Sequence, residues 1–194
     1  MPLLPAKVLD RKLVWSDFKK TTMTPPAPGV FQIAALTVSN FAGNTLSVKA
    51  VPNKKPTVYK TSPATVTVTF GSTSWVASYV LDSWSQQKQD DLLAHEQVHF
   101  MITACSARDF LAELDAISAK EYPSTADAIS DVQAVMTSFD QTVIQAIQDK
   151  YDLDTKSSPT ANAAIQAKWA TAVEDARANT KPLRATLKTA GLIP

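Results

Sequence analysis

A chain of 194 residues, 45% of them hydrophobic, is long enough for one domain with a sizeable core; only 19% are charged, with Ala, Ser and Thr filling the gap. The formal net charge of +1, with like charges only in doublets such as Lys19-Lys20 and Lys54-Lys55, gives no electrostatic basis for binding nucleic acid or an anionic membrane. The single cysteine, Cys105, rules out an intrachain disulfide and reads as a small buried filler in a helical segment.

Met1 to Asp10 carries two prolines and charges without an apolar stretch, so no signal peptide is read there. The expectation is a cytoplasmic protein or a trimmed mature form. Leu13-Val14-Trp15 and Ser16-Asp17-Phe18 should pack on the main body, and Pro25-Pro26-Ala27-Pro28-Gly29 ends that stretch stiffly. Phe31 to Ser39 and Thr45 to Val51 then read as two strands around an Ala42-Gly43-Asn44 turn. Pro52 to Pro63 reads as a polar loop. Thr65 to Phe70 and Thr73 to Val80 read as a hairpin around Gly71-Ser72. The uncharged stretch Thr61 to Leu81 has the length of a membrane span, but Pro63, Gly71 and the alternation Thr65-Val66-Thr67-Val68-Thr69-Phe70 belong to a half-buried strand. No membrane span is expected, and the chain reads as soluble.

From Trp84 the apolar period changes from two to about 3.6. Ser83 and Gln86 have capping-box spacing, and a helix is predicted from Gln86 to Glu121, stopped by Tyr122-Pro123. Ser124, with Asp127 three residues on, should cap a second helix ending near Tyr151. Its apolar stripe would be Ile129, Val132, Met136, Phe139, Val143 and Ile147. Pro159 and Thr160 open a third helix that buries Ile165, Trp169, Ala172 and Val173. The order of elements predicts one α+β domain over residues 1–194. An N-terminal antiparallel β-rich part (1–82) is followed by a part of three helices (83–194).

The chain has only two histidines, and they stand in one motif, His95-Glu96-Gln97-Val98-His99. On a helix, residues four apart share a face with Cβ atoms about 5–6 Å apart. Two such imidazoles can reach one zinc ion at about 2.0–2.1 Å. Glu96, aimed about 100° round the helix, is placed to hold a water and accept its proton as general base. The flanks Leu92, Leu93, Ala94, Val98 and Phe100 are apolar, as a helix beneath a cleft requires.

A catalytic zinc takes three protein ligands, and with no third histidine the remaining one should be a carboxylate. Asp109, Glu113 and Asp115 follow on the same helix; Glu113, fourteen residues past His99, lies about 21 Å further along. The ligand must therefore come from another element. If the helices flanking Pro123 pack antiparallel, Gln97 lies level with residue 149, which brings Asp149, Asp152 and Asp154 near the motif. Asp152 is the first choice and Asp154 the next; Tyr151 could donate its phenol to a developing oxyanion.

Leu92-Leu93-Ala94-His95-Glu96-Gln97-Val98-His99-Phe100 resembles the core signature of an uncharacterised bacterial family of predicted secreted zinc-dependent proteases. Further landmarks in matching order are Trp15 with Asp17-Phe18, Ser74-Trp75-Val76, Ala107-Arg108, Tyr151-Asp152 with Thr155, and Gln166 with Trp169. The resemblance covers most of the chain. It implies a zincin-like fold, a zinc cofactor, a peptide or protein substrate, and a secreted or periplasmic location. In the family a histidine-glycine pair follows the threonine, whereas here Thr155 precedes Lys156-Ser157-Ser158. The reading is a zinc metallopeptidase with the substrate extended along a strand between Thr65 and Val80. The alternative is a zincin-fold binding module of weak or no activity.

Overall fold

The computed structural model describes residues 6–27, 33–155 and 162–194. Among the described residues seven short strands come first: β1 (Lys19–Thr21), β2 (Ala35–Leu36), β3 (Ser39–Gly43), β4 (Val48–Ala50), β5 (Tyr59–Thr61), β6 (Val66–Phe70) and β7 (Trp75–Ala77). Before them lie a one-turn helix, α1 (Ala6–Leu9), and a 3-10 turn at Trp15–Asp17. After them come α2 (Ser78–Ser83), α3 (Gln86–Ala119), α4 (Thr125–Ser138), α5 (Gln141–Thr155), α6 (Ala163–Ala178) and α7 (Leu183–Thr189). The α+β expectation holds, but among the described residues the part 83–194 carries five helices, α3 to α7, in place of the three expected. Nor is the β-rich part wholly antiparallel, since β1 runs parallel to β7. No described helix is long and apolar enough to cross a membrane.

The strands do not form the local hairpins expected from the turns. β7 is the middle of a three-stranded sheet, parallel to β1 and antiparallel to β2. β3 pairs antiparallel with β6, and β4 with β5. Residues 35–43 thus run antiparallel to residues 66–77, with a break between Leu36↔Trp75 and Ser39↔Phe70. Two-residue hairpin turns need positive φ, and neither Gly71 nor Ser72, nor any of Ala42, Gly43 and Asn44, adopts it. Instead the Gly71 N–H bonds the Val38 carbonyl at 2.6 Å, and a Cβ on Gly71 would lie 3.1 Å from that oxygen. Buried Ser74 closes the same break, accepting from Val38 N at 3.0 Å and donating to Val38 O at 3.2 Å. The expected first strand is broken at Thr37-Val38, and Phe31 and Gln32 lie outside the described residues. The expected loop from Pro52 holds β5, and the strand drawn to Val80 gives way to α2 at Ser78. Val76 and Ala77 are fully buried, which suits a strand flanked on both sides.

α3 is the spine. Its 34 residues extend about 51 Å, and every side chain from Val98 to Arg108 is buried. The sheets lie on one side, with Phe41 and Val66 against Phe110, Leu111 and Leu114. On the others, α4 to α7 pack along its length. The helix begins after Ser85 rather than Ser83, and the Ser85 side chain makes no cap bond. It stops at Ala119, and Tyr122 pairs through its backbone with Tyr59 at 2.9 Å both ways. Ser124 caps α4 as expected, accepting from Asp127 N at 3.2 Å.

The single second helix expected to Tyr151 is two. Asp140 Oδ1 takes the Thr142 N–H at 2.8 Å and its hydroxyl at 2.6 Å. An aspartate bonding two residues ahead starts a helix instead of continuing one. This break leaves Ile129 and Met136 about half exposed, while Ile147 is buried. α5 then runs past Tyr151 to Thr155. Pro159 and Thr160 lie outside the described residues, and α6 buries Trp169, Ala172 and Val173 as expected, whereas Ile165, expected with them, is only half-buried.

The N-terminal stretch joins the core through Leu13 and Phe18. Gln97, between the two histidines, holds it by donating to Arg11 O at 3.0 Å and accepting from Leu13 N at 2.7 Å. At the far end of α3, buried Arg108 donates to Ala176 O at 2.7 Å and Lys181 O at 2.5 Å, and Asp109 accepts from Leu183 N at 2.6 Å. This pair fixes the α6–α7 turn. Cys105 is fully buried, its thiol pushed up to about 12 by burial.

Candidate metal centre

The site forms where α5 crosses α3. Gln148 meets His99 and Thr103, and Tyr151 meets His95, so the two helices run antiparallel. The level expected from sequence was residue 149; the residues that meet the motif are Gln148, Tyr151 and Asp152. Of the three aspartates considered, only Asp152 joins the histidines. Asp149 accepts from Gln145 at 2.7 Å. Asp154 pairs with Lys150 and accepts from Trp169 Nε1 at 3.0 Å, tying α6 to α5.

His95, His99 and Asp152 form the one metal-ligating group among the described residues. His99 Nε2 lies 3.1 Å from His95 Nε2 and 2.9 Å from Asp152 Oδ1, and His95 Nε2 lies 3.3 Å from the same oxygen. Ligand atoms on a tetrahedral zinc with bonds of about 2.0–2.1 Å sit roughly 3.3–3.4 Å apart. The observed triangle is a slightly contracted face of that tetrahedron. Two imidazole nitrogens and a carboxylate oxygen so close need a proton or a cation between them.

Electrostatics agree. Burial alone would lower the His99 pKa, but the Asp152 hydrogen bond and the charges of Glu96 and Asp152 outweigh it and hold it above the ordinary value. Burial would raise the Asp152 pKa; hydrogen bonds from both histidines reverse this and hold its carboxyl far below the usual range. The site favours positive charge at its centre. The Asp152 side chain is 48% exposed against 18% for His95 and 11% for His99, so the cluster opens to solvent on the α5 side.

Glu96 is only 3% exposed, and its Oε2 is buried without a hydrogen-bond partner among the described residues. A buried, unpaired carboxylate oxygen is costly, and a water or ion beside it answers the deficit. This acceptor belongs to the residue after His95, and its charge acts on His99; it is the second sign that the residues fit a metal and its water.

Tyr151 corrects an expectation. Its ring is fully buried, stacked on His95 at 4.6 Å and edge-on to His99 at 4.9 Å. The phenol points at the His95 carbonyl at 3.5 Å, and burial raises its pKa further. It is a wall that holds the imidazoles, not an oxyanion donor facing a cleft. The expected substrate strand between Thr65 and Val80 is narrowed: β7 has a partner on each side, whereas β6 pairs only with β3 and keeps one edge unpaired among the described residues. The outer strand beside the motif is β2, whose following residue Thr37 donates to Glu96 O at 3.4 Å.

Gln148 was missed from sequence, as was the group behind it. It stands one turn before Asp152, with Oε1 2.5 Å from His99 Nδ1. Its Nε2 donates to His99 O at 3.0 Å and Thr103 Oγ1 at 3.2 Å. Ser39 on β3 also donates to Thr103 Oγ1, at 2.8 Å. The available signal was the i−4 spacing from Asp152, which puts Gln148 on the same helix face. The chain matches no protein-family model, no curated protein and no solved structure.

Proposed function

We propose that this protein is a zinc-dependent metallopeptidase, with His95, His99 and Asp152 as ligands and Glu96 as general base. The observation that carries the reading is the ligand triangle together with a buried Glu96 oxygen that has no hydrogen-bond partner among the described residues. Two nitrogens and one carboxylate are a zinc donor set that leaves a fourth position free. Bound there, zinc would polarise a peptide carbonyl and make a water acidic enough to lose its proton near neutral pH. Glu96, as base, would accept a proton from the attacking water and pass it to the amine nitrogen as the C–N bond breaks. Tyr151 keeps both rings in place, and Asp152 offsets the charge of the centre. A peptide could extend along the outer edge of β2, which Thr37 ties to the motif helix. The HEQVH segment and its resemblance to predicted zinc proteases support the same reading.

A second reading, a metal-holding binding module without turnover, is favoured by how little of the base and of one ligand meets solvent: Glu96 is 3% exposed and the His99 side chain 11%. Two measurements decide. About one zinc per chain by elemental mass spectrometry, lost in His95→Ala/His99→Ala, is expected. Cleavage of a peptide library that disappears in Glu96→Gln with zinc retained marks the peptidase; zinc without cleavage in the unaltered protein marks the binding module.

A further inference from the structure

We infer that Gln148 is a positioning residue that selects the tautomer of His99, so that the ring's Nε2 lone pair faces Asp152 and His95. The inference rests on the metal reading for its purpose, but its geometry stands apart from it. The Gln148 amide has only one workable orientation. One of its ends lies 3.0 Å from the backbone carbonyl of His99, a group that can only accept, so that end must be the NH2. Turned over, the amide would set oxygen against oxygen there. Thr103 Oγ1 takes the second amide hydrogen while accepting from Ser39. The Gln148 oxygen is thereby left facing His99 Nδ1 at 2.5 Å, and an amide oxygen can only accept. His99 must therefore carry its proton on Nδ1. In the neutral ring, Nε2 is then bare, and it is the atom 2.9 Å from Asp152 Oδ1 and 3.1 Å from His95 Nε2.

The chain Ser39–Thr103–Gln148–His99 links β3, α3 and α5, so the tautomer is set by tertiary contacts and not by the motif. An imidazole that donates its other N–H to a fixed acceptor is a better oriented and more basic ligand. Loss of such a partner weakens metal binding by about 10–100-fold.

Only two imidazoles exist in the chain, so a nitrogen-15 spectrum of histidine-labelled protein holds four ring signals, assigned with a His95→Gln variant. In the zinc-free protein, at a pH where both rings are neutral, His99 should show a protonated Nδ1 and a lone-pair Nε2. Gln148→Met keeps the shape and loses the acceptor; it should mix the tautomers and weaken zinc binding 10–100-fold. Gln148→Glu keeps an acceptor against Nδ1 and meets the His99 carbonyl with its second oxygen, so with its carboxyl protonated there it should hold the Nδ1–H tautomer. A wild-type spectrum with the His99 proton on Nε2 overturns the inference. So does Gln148→Met with unchanged tautomer and affinity, or Gln148→Glu that mixes tautomers as Gln148→Met does, which would make the residue a mere tether between helices. If Gln148→Met fails to fold, the wild-type and Gln148→Glu spectra decide. A wild-type protein that takes up no zinc sinks the metal centre, while the nitrogen signals still decide the role of Gln148.

Discussion

Replacing Asp152 by Asn preserves the size of the side chain and removes the anion that His95 and His99 share. The three atoms that would hold the metal come from two helices, with His99 and Asp152 53 residues apart in the chain, so a metal held by them would bind the folded state and stabilise it by mass action. With free zinc at 100 times the wild-type dissociation constant, that stabilisation is about 2.7 kcal/mol. For a chain of 194 residues, where 1 kcal/mol moves the melting midpoint by about 2–4 °C, the wild type should gain roughly 5–10 °C. Losing an outer partner of a ligand already costs about 10–100-fold in affinity, so losing a ligand's charge should cost at least the upper figure. At the same zinc concentration the variant would then gain about 0.4 kcal/mol, a shift under about 2 °C. Thermal melts followed by circular dichroism, with and without zinc and after chelation, measure this directly. An equal shift in Asp152→Asn and wild type would refute Asp152 as a ligand; no shift in either would refute the centre itself.

Glu96→Gln should keep one zinc per chain and lower peptide hydrolysis by about 10²–10⁴-fold, read from metal content and initial rates on the same sample. Tyr151→Ala removes a fully buried ring stacked on His95 and should destabilise the fold by about 3–5 kcal/mol while weakening zinc binding. Tyr151→Phe, which loses only a 3.5 Å contact, should stay close to wild type in denaturant melts. Cys105, buried and raised to about 12, should resist iodoacetamide at pH 8 in the native state and react once the protein is unfolded. In the zinc-free protein, the raised His99 pKa adds stability that is full below the unfolded value near 6.5 and lost as pH rises through the folded value. The depressed Asp152 pKa adds stability present above its unfolded value near 3.8 and lost on acidification. Melts across pH should therefore show the cluster's contribution largest between these two limits, with zinc reversing the loss on the alkaline side. His99→Gln should flatten the profile, and an unflattened one would remove the cluster as its cause.

The His-Glu-x-x-His spacing alone put two imidazoles on one face of a helix, and the helix itself was legible because Gln86 to Ala119 contains no proline or glycine. Asp152 was reachable by arithmetic from the turn at Pro123, since equal lengths of antiparallel helix lie level whatever their side chains. That estimate survived the unforeseen break at Asp140 because α4 and α5 together still carry the chain back along α3. Strand partners were not legible: local turn residues suggested hairpins at Gly43 and Gly71, yet the backbone there takes no positive φ and pairing skips to distant segments.

What the sequence by itself determined is the chemistry available, two imidazoles, one adjacent glutamate and a supply of aspartates, because helical spacing is a property of neighbours along the chain. Only the tertiary structure decided which aspartate joins them, that Tyr151 is a wall, and that Gln148 faces Nδ1 of His99. Those choices depend on the rotation of α5 against α3, which is set by packing among Tyr151, Trp169 and the core beneath them. No residue states that rotation locally, so a pattern along the chain could place the ligands level with one another but not turn them to face.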